Sequence, residues 1–180
     1  GKRGAFYPTH SLGPVMQWFR GEHIREVSCH TARWFNYTEY KQDDVSLAMC
    51  HLTGNKLVKI RVDCKSPRPH KMDYYSLQGT KGCYEAGRGM GDRDKIWLSE
   101  SGDAEKAIWR PLSDYNEYLP DRYKNATEEQ KNSGHGGGDF FIVSDFYDAV
   151  TGKIPSPVDV YDACEWTAVG LLSQLSVMNN

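Results

Sequence analysis

Two histidines stand where an imidazole could do chemistry. His135 is the one sizeable side chain inside Gly134-His135-Gly136-Gly137-Gly138-Asp139. Glycine has no Cβ, so this backbone can take φ > 0 and approach a ligand closely, and the ring between the glycines would be presented, not packed. Asp139 occupies a position where a helix N-cap or first-turn acid is favoured. His10 lies in Tyr7-Pro8-Thr9-His10-Ser11-Leu12-Gly13-Pro14, read as a strand-to-helix junction, a common place for a side chain that meets a ligand. An imidazole suits proton transfer because its unperturbed pKa of about 6.5 is close to working pH. Taken alone, each stretch also serves as a plain helix start carrying an idle surface histidine, and both readings stay open.

The elements around these histidines follow from spacing. Pro8 biases Tyr7 towards extended geometry. Thr9 or Ser11 can cap a helix whose apolar members are Val15, Met16, Trp18 and Phe19, with Pro14 in its first turn. Alternation predicts strands at 24–30, 45–52 and 56–64, the last two forming a hairpin through Thr53-Gly54-Asn55. In the third strand Val58, Ile60 and Val62 share one face and Lys59, Arg61 and Asp63 the other, as in an antiparallel sheet covered on one side. Short strands are expected at 74–78, 83–86, 95–98 and 107–109. Residues 34–44 read as a loop, 65–70 as a proline-bearing connection and 100–105 as a charged turn. Residues 111–133, rich in tyrosine, read as short helical turns in a long surface excursion that ends at the glycine loop. A helix runs from Asp139 to Val150 and stops at Gly152. Asp159 caps a last helix to Leu175, with Ala163, Trp166, Thr167, Gly170, Leu171 and Gln174 as a stripe suited to close packing.

The chain has 180 residues and a net charge of −2. That length fits one domain, 1–180, with a real core. The charge gives no reason to expect a nucleic-acid or membrane-surface partner, and no apolar run approaches the roughly 20 residues of a membrane span. Five cysteines, at 29, 50, 64, 83 and 164, show no metal spacing, so no metal is expected. Reduced thiols in a cytoplasmic protein without a signal peptide account for them. Gly87-Arg88-Gly89-Met90-Gly91-Asp92 is not a dinucleotide loop, since Asp92 replaces the third glycine and no helix pattern follows. No dinucleotide is therefore expected to bind this chain by itself.

Four motifs carry a resemblance along nearly the whole chain. Tyr7-Pro8-Thr9-His10-Ser11-Leu12-Gly13-Pro14, Gln78-Gly79-Thr80-Lys81-Gly82, Gly134 to Asp139, and Asp159-Val160-Tyr161-Asp162-Ala163 with Trp166-Thr167-Ala168 resemble the C-terminal domain of the Gfo/Idh/MocA oxidoreductase family. Within it they are similar to the branch containing the NAD-dependent α-N-acetylgalactosaminidases. That branch usually has Gly where Ser11 stands and often Met where Gly138 stands. The resemblance implies an α+β fold: an open, mainly antiparallel sheet with helices on one face, of the dihydrodipicolinate-reductase-like type. Its other face commonly packs on a second subunit.

The family's Rossmann domain, which binds NAD or NADP, would precede this chain, so the sequence is expected to be a fragment of a longer protein, inactive alone. The resemblance further implies that Tyr7 and His10 line a sugar site, with His10 in acid/base work. His135 would position or polarise the substrate, and Lys81 and Tyr75 would be cleft residues. The implied reaction is transient oxidation at C3 of a sugar, proton removal at C2, loss of the leaving group, addition of water and reduction. The expected role is the substrate-binding and dimerisation domain of an NAD(P)-dependent sugar oxidoreductase, with the redox-assisted glycosidase as the alternative. A non-catalytic carbohydrate-binding or structural module is the reading from another class.

Overall fold

The structure, a computed structural model, describes residues 3–33, 42–66, 74–100 and 107–179. The chain forms two compact units, one from residues 1–67 with 156–180 and one from residues 68–155. The sequence features expected at 34–41, 67–70 and 101–105 lie outside the described residues.

The first unit holds helix α1 (Pro8–Trp18), strands β1 (Ile24–Arg33), β2 (Asp43–Leu52) and β3 (Leu57–Asp63), and the C-terminal helix α5 (Val160–Asn179). The strands make an antiparallel sheet in the order β1-β2-β3. Register places Cys29 opposite Ala48, Ala48 opposite Ile60, and Cys50 between Val27 and Val58. These side chains share one face because side chains alternate along a strand. With Leu52 they form the core together with Leu12 and Met16 of α1 and Trp166 and Val169 of α5. The other face is mixed, with Leu47 and Leu57 exposed beside Lys59 and Arg61. Burial pushes the Cys50 thiol up to about 11, with the neighbouring Cys29 adding to the effect. These core thiols behave as small hydrophobes, and all five cysteines are free.

Asp159 caps α5 as expected, its Oδ1 accepting from the Tyr161 and Asp162 backbone N–H groups at 2.8 and 2.9 Å. The inward stripe of α5 is rotated from the expected one. Trp166, Val169 and Ser173 are buried, whereas Ala163, Thr167 and Leu171 are exposed. Small residues permit close approach without dictating which side of the helix is approached.

A carboxylate pins this helix to the sheet. Glu165 accepts from the Ile24 backbone N–H at 2.6 Å and pairs with His23 Nδ1 at 2.9 Å. The hydrogen bond to Glu165, with that carboxylate's charge, raises the His23 pKa above its ordinary 6.5. A folded-state pKa above the unfolded one means protonation favours the fold. The contribution is fully present below about pH 6.5 and is lost as pH rises through the higher folded value. Wild type is therefore expected to lose more stability than His23→Gln as pH rises above about 6.5. Parallel slopes in thermal melts across that range would reject the role.

The second unit opens with the antiparallel sheet β4 (Ser76–Gln78), β5 (Gly82–Glu85), β6 (Lys95–Leu98) and β7 (Arg110–Pro111). The strand expected at 107–109 is displaced to 110–111, where Lys95 pairs with Pro111 and Ile96 with Arg110. Asp94 locks that edge. Its carboxylate accepts from Tyr84 Oη at 2.8 Å and from the Gly87 N–H at 2.9 Å, and its carbonyl accepts from the Leu112 N–H at 2.8 Å. A 3-10 helix (Leu112–Tyr118) and the short helices α2 (Asp121–Lys124) and α3 (Glu128–Lys131) make up the anticipated excursion before α4 (Gly138–Val150).

Both sheets are open and antiparallel, and helices cover one face of the first, as the α+β reading requires. Among the described residues no helix is long and apolar enough to cross a membrane.

Candidate active site

The head of α1 is held by buried contacts from distant parts of the sequence. Pro8 seats against α5 where Gly170 lacks a side chain. A Cβ there would lie 3.3 Å from Pro8 Cδ and 3.4 Å from the Ala5 carbonyl oxygen, tighter than most real contacts. The Ala5 N–H donates to Ser173 Oγ at 2.9 Å, and that hydroxyl donates to the Gly170 carbonyl at 2.8 Å. The Gly4 N–H donates to Asp43 Oδ2 at 2.9 Å, and Arg3 pairs with the same carboxylate at 3.4 Å.

With Ala5 and Pro8 both fixed, the chain turns sharply between them. Tyr7 takes φ 58° and ψ 46°, in place of the expected extended geometry. A non-glycine residue in this region costs on the order of 1–3 kcal/mol and persists only where its surroundings over-determine it. The described residues 3–7 are irregular, so His10 lies in the helix's first turn after an irregular segment. Pro14 lies inside α1, beyond the first turn, and has no N–H to offer the His10 carbonyl.

The outcome of this strained turn is an aromatic pair. The Tyr7 and His10 rings stack with centroids 5.5 Å apart and planes 23° from parallel. Tyr7 is 65% exposed and His10 is exposed as well. A phenol and an imidazole are thus offered side by side on a segment anchored by the buried Gly4, Ala5 and Pro8.

His135 belongs to the other unit. It takes φ 56°, followed by Gly136 at 66° and Gly137 at 94°, which caps α4. The loop is closed by hydrogen bonds from the Gly137 N–H to the Ser133 carbonyl (2.8 Å) and from the Phe140 N–H to Ser133 Oγ (3.1 Å). His135 Nδ1 meets Asp139 Oδ1 at 2.8 Å, and the ring remains 84% exposed. Asp139 is the expected first-turn acid.

Of the residues expected to form a site, Tyr7 and His10 are brought together, while His135, Lys81 and Tyr75 lie in the middle unit. Lys81 sits on the exposed tip of the β4–β5 hairpin, paired at 3.5 Å with Glu100. Tyr75 is half-buried, and its carbonyl accepts from the Ala86 N–H at 2.9 Å. Its neighbour Tyr74 holds Arg88, whose guanidinium lies 4.6 Å from the ring centre and donates to the Tyr74 hydroxyl at 2.6 Å. A cavity of about 630 Å³ in the same unit, lined by residues including Ile96, Leu98, Leu112, Tyr115 and Tyr118, was not legible in the sequence.

The loop 87–92 does not fit a pyrophosphate. Gly89 bridges Asp92, and the Asp92 carboxylate accepts from the Arg88 N–H at 3.0 Å and from Lys95 Nζ at 2.9 Å. Negative charge thus occupies the place where phosphate oxygens would need donors.

The fold is one that other solved proteins share. It is similar to an NAD binding oxidoreductase from Klebsiella pneumoniae, with TM-score 0.69, 13% identity, and 95% of this chain and 47% of that one covered. It is also similar to the WlbA dehydrogenase from Bordetella pertussis, solved in complex with NADH and UDP-GlcNAcA, with TM-score 0.62, 17% identity, and 98% and 46% covered.

Within that fold the chain belongs to the family "Glycosyl hydrolase 109, C-terminal domain", whose model matches residues 1–180. An alpha-N-acetylgalactosaminidase from Tannerella forsythia is 26% identical over 196 residues, 98% of this chain and 40% of its own length. A glycosyl hydrolase family 109 protein from Stenotrophomonas maltophilia (strain K279a) is 26% identical over 200 residues, 99% and 42%. The chain thus spans about two fifths of the curated relatives it matches. The family and fold read from the four motifs are borne out.

Proposed function

We propose that this chain is the substrate-side domain, 1–180, of a longer NAD-dependent glycoside hydrolase that works by transient oxidation of its sugar. The observation that carries the reading is the stacked, exposed Tyr7–His10 pair, fixed by buried anchors at the head of α1. The hydride chemistry belongs to a nicotinamide cofactor held by residues outside this chain, since the loop at 87–92 offers it no cradle. What this chain supplies is proton transfer and orientation. His10, exposed on the first turn of a helix, accepts the C2 proton of the oxidised sugar and returns a proton to the departing oxygen. Tyr7 lies against the imidazole and offers a hydroxyl to the same sugar. On the second unit, His135, Lys81 and Tyr75 are the residues proposed to meet a sugar. The mixed outer face of the three-stranded sheet, with Leu47 and Leu57 exposed, is the seat of a second copy. The protein works in the cytoplasm, where its exposed Cys64 and Cys164 stay reduced.

A sugar dehydrogenase is the second reading, favoured by the oxidoreductases among the solved structures that share the fold. The full-length protein, assayed with nitrophenyl α-N-acetylgalactosaminide, is expected to release nitrophenol only when NAD⁺ is present, with no net NADH formed. Stoichiometric NADH without nitrophenol would establish the dehydrogenase. Release independent of NAD⁺ would reject both.

A further inference from the structure

We infer that Asp139 is a positioning residue for His135, a role that rests on the proposed contact of His135 with the sugar. The carboxylate accepts a hydrogen bond from Nδ1–H at 2.8 Å. That bond fixes the tautomer, because the partner of one ring nitrogen decides where the proton of a neutral imidazole resides. With the proton on Nδ1, Nε2 carries the lone pair, on a ring that is 84% exposed. The dyad therefore offers an acceptor at a fixed place, suited to a hydroxyl donor such as a sugar carbon's OH, and not to an anion.

The surrounding glycines fit this purpose. A Cβ on Gly134 would collide with Asp139 Oδ2, so any other residue there would drive the carboxylate off the ring. A Cβ on Gly137 would lie 2.7 Å from the Lys131 carbonyl oxygen, so the left-handed turn that brings His135 back over the first turn of α4 also depends on glycine. An ordinary capped helix needs neither device. Ser133 already satisfies the Phe140 N–H, and Asp139 is free to serve the ring.

Asp139→Asn in the full-length enzyme tests the inference. Asparagine keeps the size of the side chain, and its amide can turn an N–H towards Nδ1, leaving the proton on Nε2. Turnover of the nitrophenyl glycoside is expected to fall about 10-fold or more with KM little changed, by the logic of a carboxylate that orients a histidine. Nitrogen-15 shifts of the labelled histidine are expected to move from the Nδ1–H to the Nε2–H pattern, and Asp139→Glu to restore part of both. Wild-type turnover in Asp139→Asn would overturn the role, as would lost turnover with the Nδ1–H pattern retained. His135→Ala separates the two levels. If it keeps full activity, the contact of His135 with the sugar fails. If it loses activity while Asp139→Asn does not, only the positioning role fails.

Discussion

With alanine at position 10, and on the function proposed above, the full-length protein is expected to turn over a glycoside at least about 10²-fold more slowly, the usual contribution of a positioned acid/base group. The side chain is exposed, so its removal opens no core cavity, and the fold should lose little stability. Loss of rate with unchanged stability is the signature of a group that meets substrate. Tyr7→Phe keeps the ring beside His10 and removes only the hydroxyl, and it should cost less than the alanine change. Wild-type turnover in His10→Ala would remove the histidine from the reaction and leave the stacked pair a surface ornament of α1.

The opposite signature is expected at Trp166, where truncation to alanine should cost about 3–5 kcal/mol, the range for deleting a buried aromatic side chain. Trp166 is 7% exposed and shares the core with Leu12, Met16 and the sheet. Its ring lies against Gly13 of α1, where a Cβ would be 3.2 Å from Trp166 Cζ3. The indole is thus the piece of α5 over which α1 rests. A domain's whole stability is only about 5–15 kcal/mol, so the variant should unfold at a much lower temperature or denaturant concentration. A change below about 1 kcal/mol would mean that α1 does not depend on the ring.

What could be read in advance was local. The glycine loop, the first-turn acid Asp139, the β2–β3 hairpin with Asn55 at φ 58° and the Asp159 cap all depend on residues within a few positions of one another. Turn and cap chemistry is written in such short spans. What could not be read was set by partners far along the chain. Tyr7 is left-handed because Ala5 and Pro8 are anchored by residues 168 and 162 positions away, Ser173 and Gly170. The Glu165 contact with His23 spans 142 positions and leaves no local mark. The inner face of α5 was misjudged because alanine and threonine are tolerated on either side of a helix. The last strand of the second sheet was misplaced because its register is chosen by β6 and Asp94, and not by its own residues.

Because the Ala5 N–H hangs on Ser173, the business end of the first helix is tethered to the tail of the last. Pruning the last helix back from residue 179 would reach that tether before Trp166. A shortened version could thus stay folded and still go dumb, and an engineer who wants a smaller protein should cut elsewhere.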